Sequence, residues 1–402
     1  MKKSKHLITG SLCILLAGSC QQNSHNTSYS DGLESCPVVA SYVQTGDDQV
    51  LSCDQKWLTD SLQLPLSFLA EKPEIIHLDN RDEALISDSR VLISDNYLLV
   101  WNNHQNPFKL FDRKGKFLTA IGSYGQGPGE YLNVYDASLD EKNNRIYILP
   151  WQSAQLLVYD LEGNSLPSIP LCLRVPKGTF HIDVRDSTIA IVVLPFEGMP
   201  AVAWTQDFHG NRKAYIEPAH LTAPQDFSNE VATNNNVSGT YDVNIFCIIP
   251  TRVDSLYHYD YKNNRLRPCF TLNFSEDPIP WHSYLELPNH YMGDASHPVQ
   301  ESEMTFVPSP PSYYIIDKKS RKGAFFRLYN DYLGDTEIDW PIYSFYNGYF
   351  IKNMEPSNLK NLLGNALKSD TLSEEKRQEL TALHESLREN DNNVVILARL
   401  KE

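Results

Sequence analysis

The chain has no Cys-x-x-Cys pair, no His-Glu-x-x-His, no Gly-x-Ser-x-Gly, and no apolar run of 18 residues outside its first twenty. The first absence removes the usual spacing of a structural zinc cluster. The next two remove the zincin helix and the nucleophile elbow of α/β-hydrolases. The last leaves no further segment with the length of a membrane-spanning helix. Positive charge is also in short supply. With 35 Lys and Arg against 50 Asp and Glu, the formal net charge is −15, which argues against a protein that grips nucleic acid through its phosphates. No motif calls for a cofactor or a metal.

Aromatic residues are plentiful, with 22 Tyr and 16 Phe among 402 residues, a composition that suits strands. The N-terminus reads as a processing signal. Lys2, Lys3 and Lys5 precede an apolar stretch at 7–17, which ends in Leu16-Ala-Gly-Ser-Cys20. Small residues before a cysteine have the form of a bacterial lipobox, so residues 1–19 are expected to be removed and Cys20 to carry a lipid. The loss of three lysines would take the net charge from −15 to −18. Residues 21–35 are polar and read as a tether within an N-terminal segment, 20–65. Five further cysteines, Cys36, Cys53, Cys172, Cys247 and Cys269, leave at least one unpaired. A Cys36–Cys53 disulfide is open on this reading, and Cys247 and Cys269 read as small buried apolar residues in strands.

From residue 66 onward a repeat emerges. LFDRKG, VYDLEG, TQDFHG, HYDYKN and IIDKKS place Asp112, Asp160, Asp207, Asp260 and Asp317 at steps of 48, 47, 53 and 57. Asp can bond its own backbone two residues on, and Gly or Asn accepts the left-handed conformation that closes a hairpin. A second turn type, such as DEKNN at 140–144, falls between the copies. Four short strands per period of about 50 residues is the arithmetic of a propeller blade. Five such turns require five blades. Strand-like runs at 343–346, 349–353 and 394–400 supply three strands of a sixth, and the orphan strand at 74–78 is expected to complete it and close the ring. Residues 356–390 break the pattern as a helical insert. Thr371 with Glu374 suggests a capping box, and Leu380, Leu383 and Leu387 form one apolar stripe expected to pack on the propeller.

The stretch GQGPGEY, followed by DEKNNRIYIL and LLVYDLEGN, resembles the six-bladed β-propeller lipoproteins of Bacteroidota. It is also similar, more distantly, to NHL and TolB-like propellers. The resemblance covers about 65–402 and implies an all-β fold, a six-bladed β-propeller closed by an N-terminal strand, in the cell envelope. Residues 276–311, the early part of blade five, match it poorly.

IGSYGQGPGEY at 121–131 lacks the Lys and Ser/Thr of a P-loop and the spacing of a dinucleotide fingerprint, so it reads as the link from blade one to blade two. Strand alternation puts it on one face with the loops 101–107, 150–154, 195–200 and 250–254. Trp101, Asn102, His104, Gln126, Glu130, Trp151 and Arg252 are therefore the candidate ligand contacts at the channel mouth. His282, His290 and His297, with Asp277 and Asp294, match no zinc spacing. No catalytic residue is assigned. The chain is expected to be a lipid-anchored binding or interaction module for a small molecule, a glycan or an envelope protein, on the outer membrane and more on its periplasmic side. A lyase or hydrolase at the channel mouth is the alternative, and a structural subunit of an outer-membrane complex is another.

Overall fold

The structure, a computed structural model, describes residues 29–30, 32–87, 89–102, 107–223, 229–246, 254–302 and 305–402. Cys20, His104, Cys247 and Arg252 lie outside them. Six sheets form a propeller ring. Blade one is Arg90–Ile93, Tyr97–Trp101, Phe108–Asp112 and Phe117–Ile121. Blades two and three, starting at Val134–Asp140 and Gly178–Asp183, are likewise four antiparallel strands.

The aspartate turns join third to fourth strands. Asp112 Oδ1 accepts from the backbone N–H of Lys114 and Lys116 at 2.8 and 3.0 Å. Asp160 and Asp207 repeat this with residues two and four further on. In these three turns the left-handed residue is the glycine, with Gly115 at φ +85° and Gly163 at φ +89°. In the last two copies the positive φ moves one residue on, to Asn264 and Arg321. The glycines also serve blade packing. A Cβ on Gly115 would stand 2.1 Å from the His77 carbonyl oxygen, and one on Gly163 would stand 2.6 Å from that of Ala120, each on the outer strand of the preceding blade.

The ring closes as the unpaired strand demanded. Glu74–His77 lies antiparallel beside Val394–Arg399, with Val394 opposite His77 and Leu397 opposite Glu74. Ile76, Val395 and Leu397 are buried together with blade-one side chains such as Val91 and Leu98. The insert comprises two helices, Pro356–Ala366 and Glu374–Ser386. Its second helix is capped by Ser373, which accepts from Lys376 N, not by Thr371; Ser373 stands directly before the helix, whereas Thr371 is two residues too early. Leu359, Leu363, Leu380 and Leu387 are buried against blades five and six. No helix among the described residues is long and apolar enough to cross a membrane.

The N-terminal segment is not merely a tether. Asp48–Asp54 adds parallel to the outer strand of blade four, Ala40–Thr45 pairs outside it, and Ser61–Pro65 adds parallel to the outer strand of blade five. Leu51, Cys53 and Leu64 are fully buried as a result. Cys36 and Cys53 are both free and belong to different apolar cores, so the disulfide left open above does not form. Residues 276–311 contain the two inner strands of blade five, Trp281–Glu286 and His290–Ser296, and a hairpin, Pro298–Ser302 with Thr305–Pro308. They are thus the early part of blade five, although they match the family resemblance poorly.

Candidate functional site: the propeller channel

The inner strand of each blade starts at the face of the blade-to-blade links and ends at the opposite face. In blade four this inner element is the irregular segment 229–236, tied to its neighbour by one bridge, Ala232 to Asn244. Its end crosses to blade six. Asn347 N donates to Asn234 O at 2.8 Å, Gly348 N to Asn236 Oδ1 at 3.1 Å, and Asn236 Nδ2 to Phe345 O at 3.3 Å. Blades four and six are not neighbours in the ring, so these bonds span the axis and form a floor at one end of the channel. The other end is the mouth.

Near the mouth, Glu230 accepts from Lys177 Nζ at 2.5 Å and from the Tyr135 hydroxyl. Lys177 also donates to Asn229 O at 2.7 Å, so its buried ammonium is bonded to both a carboxylate and a carbonyl. Arg90, from the inner strand of blade one, is exposed and lies 5.3 Å over the Trp101 ring.

Deeper, a register shift between Val134 and Asp136 marks a bulge that breaks the alternation of side chains in the inner strand of blade two. Asp136 is buried, and its carboxylate accepts from Ala137 N and Phe180 N. Burial pushes its pKa up to about 7 although these two N–H groups and Arg90 oppose the rise. The Tyr241 hydroxyl bonds that of Thr179 at 2.7 Å. Asp242 accepts from the N–H of Asn234 and Asn235, and burial raises it to about 6. Burial raises the pKa of Tyr346, on the inner strand of blade six, with the charges of Asp136 and Asp242 adding to the rise and that of Arg90 opposing it. Thr233 Oγ1, Asn235 Oδ1 and Ser344 Oγ, from the inner segments of blades four and six, are buried polar atoms with no partner. The arrangement can present a cation, two carboxyls of raised pKa and several hydroxyls to a polar guest.

The described residues among those singled out from sequence do not gather into one cluster. Trp101 is buried and stacks on Phe108 at 5.1 Å, which places it beneath Arg90. Asn102 donates to Ser87 Oγ at 2.9 Å. Gln126 and Trp151 are exposed. Glu130 is turned into its own loop, where it accepts from Gly127 N at 2.8 Å, and a Cβ on Gly125 would stand 2.0 Å from its Oε2. Tyr131 ties the same loop down by donating to Ile121 O at 2.6 Å and accepting from Phe108 N at 2.7 Å. The loop is thus built around its own Glu and Tyr.

His282, His290 and His297 are apart as well. They meet Pro280 O, Asp317 and Glu276 respectively. Sequence reading missed Arg90, Tyr135, Asp136, Lys177, Glu230, Asp242 and Tyr346. A polar residue inside an otherwise apolar strand, as in NVYDASL at 133–139, was the available signal.

The family described as "Domain of unknown function (DUF4934)" matches residues 49–399, from the added strand on blade four to the last strand of blade six. No curated protein matches the chain. Among solved structures, a candidate exported protein of Bacteroides fragilis NCTC 9343 is similar at 14% identity and a TM-score of 0.58, over 84% of this chain and 96% of that one. A DUF4221-family member from Bacteroides vulgatus is 14% identical over 83% of this chain and 97% of that one, with a TM-score of 0.43. At these identities the first likeness shows the fold alone, and the second carries no argument.

Proposed function

The chain belongs to the DUF4934 family, and from that premise we propose that it is a lipid-anchored cell-envelope propeller that binds a polar small molecule or glycan end in its channel. The observation that carries the binding reading is that Asp136, Tyr241 and Tyr346, from blades two, four and six, are buried polar groups raised in pKa, with Arg90 of blade one acting electrostatically on Asp136 and Tyr346. Few convergent polar groups in a concavity, with displaced pKa values, are the usual marks of a ligand site. The lipid anchor and the finer kinship with NHL and TolB-like lipoproteins of Bacteroidota rest on the lipobox at 16–20 and on GQGPGEY. The exported character ascribed to the B. fragilis neighbour agrees with an envelope location. The residues after Cys20, Gln-Gln-Asn-Ser, carry no acidic run, which favours the periplasmic side of the outer membrane.

A panel of sugars and sugar acids titrated calorimetrically against wild type, Arg90→Ala and Asp136→Asn tests the site. Binding by wild type that weakens at least tenfold in both variants is the expected result. A ligand bound equally by all three overturns the channel as its site. The Cys20→Ala protein is expected to leave the detergent phase, and wild-type partitioning would refute the anchor.

A second reading is favoured by Asp136 alone. A carboxyl raised to about 7 is in the working range of a general acid or base, so a lyase or hydrolase would use it as such. That reading requires turnover of the bound ligand that Asp136→Asn abolishes.

A further inference from the structure

Three donors of metal-ligand type meet between blades four and five, next to Asp242, which stands opposite His258 in the ladder. His258 comes from Leu256–Asp260, Cys269 from Arg265–Asn273, and Glu286 ends the inner strand of blade five. Their imidazole nitrogen, sulfur and carboxylate oxygen all lie within 4.8 Å of one another. His258 Nε2 stands 2.5 Å from Glu286 Oε2. Lys318 Nζ donates to the other oxygen, Oε1, at 2.6 Å and to Pro288 O at 3.1 Å. One carboxylate oxygen is thus fixed and the other is aimed at the imidazole.

The cysteine is brought there by a backbone irregularity. Leu256 faces Phe270 and Tyr257 faces Pro268, so Cys269 is the extra residue of a β-bulge. An extra residue escapes the strict alternation of a strand, and bulges commonly re-aim a side chain toward a site. Cys269 Sγ donates to Leu256 O at 3.2 Å.

We infer that His258, Cys269 and Glu286 form a binding site for one borderline-soft divalent cation of zinc's class. Imidazole, thiolate and carboxylate are the donors such ions take, and three protein ligands leave a fourth, open position for water. Ligand atoms about 2.0–2.3 Å from a tetrahedral cation stand about 3–4 Å apart, so the His258–Glu286 contact opens by roughly 1 Å on binding. The thiol gives up its proton to solvent as the metal–sulfur bond forms, while Glu286 binds through Oε2 and keeps Lys318 on Oε1. The His258 side chain, 22% exposed, gives the cation its way in.

The test uses the full, lipidated chain in detergent, stripped with chelator and then given zinc or cobalt alone. The expected results are one zinc retained per chain and, with cobalt, a near-ultraviolet thiolate-to-metal charge-transfer band. Cys269→Ser should abolish the band, and Cys269→Ser and His258→Gln should each weaken zinc binding on the order of 10- to 100-fold. Cys172→Ser, far from the cluster, should change neither. Absence of retained zinc, or a band and affinity that survive Cys269→Ser, overturns the site. Far-ultraviolet circular dichroism of each variant separates a lost ligand from a lost fold.

Discussion

Blades one to three and blades four to five share an aspartate turn between their outer strands but differ in where its left-handed residue falls and at their edges. The first three are closed units of four antiparallel strands. Blade four has an inner element held by one bridge, and it gains two outer strands from 40–54; blade five gains one from 61–65. Polar side chains gather where regularity fails. Asn236, Asp242, Asn244, His258 and Glu286 all belong to blades four and five or their shared interface. A broken ladder frees backbone groups that side chains must satisfy, so the same departure that weakens a blade gives it chemistry. The N-terminal strands restore the buried apolar area that the irregular blades lack.

The comparison breaks most directly at the N-terminus. Deleting 21–80 removes the closing strand together with the strands on blades four and five, and is expected to leave no soluble folded protein. Deleting 21–60 keeps the ring closed but strips Val50, Leu51, Cys53 and Leu58 from blade four, at about 1.5–3 kcal/mol for each large side chain. That chain should fold with a clearly lowered Tm. Thermal unfolding at the wild-type temperature would show that the added strands are ornament.

Gly115→Val should cost more than about 3 kcal/mol, since it combines a strained left-handed residue with a clash against His77 O. Gly46→Val, at φ +60° with nothing within 4 Å, should cost only about 1 kcal/mol. Equal losses in urea unfolding would remove the blade-to-blade contact from the explanation.

Asp136 sharpens the contrast in pH. Its folded pKa, about 7, lies above the ordinary 3.8, so the native state holds more protons between those values. Its contribution to stability is full below pH 3.8 and is lost as pH rises through about 7. Asp242, raised to about 6, acts with the same sign. Asp136→Asn should flatten the decline between pH 4 and 7 by on the order of 2 kcal/mol, read from urea midpoints across that range. An unchanged slope would place the carboxyl in contact with water.

Tyr131→Phe should cost about 1–2 kcal/mol, because it leaves Phe108 N and Ile121 O unpaired in a buried place. A larger loss would mean that the GQGPGEY loop holds blades one and two together.

Much of the fold was legible in sequence because its signals are local. Asp112 bonds residues two and four further on, and Gly115 supplies the conformation that closes the turn, so both sit in one hexapeptide. The closing strand was legible by elimination, since 74–78 had no neighbour and blade six lacked a strand. Residues 40–65 were not, because strands that add in parallel to an outer edge carry no turn that names their partner. Blade five hid its inner strands because Trp281–Glu286 and His290–Ser296 hold no Val or Ile, the residues that most plainly mark a strand.

Blade count, turn geometry and ring closure could be read along the chain, because each depends on residues a few positions apart or on counting strands. The chemistry arose only where folding brought distant segments together. The channel draws Arg90, Asp136, Lys177, Glu230, Asp242 and Tyr346 from five blades, and the second cluster joins His258 and Cys269 to Glu286 across a blade interface. A propeller brings one position of each repeat to the axis, so side chains about 50 residues apart become neighbours, and no local pattern in the chain records which of them will meet.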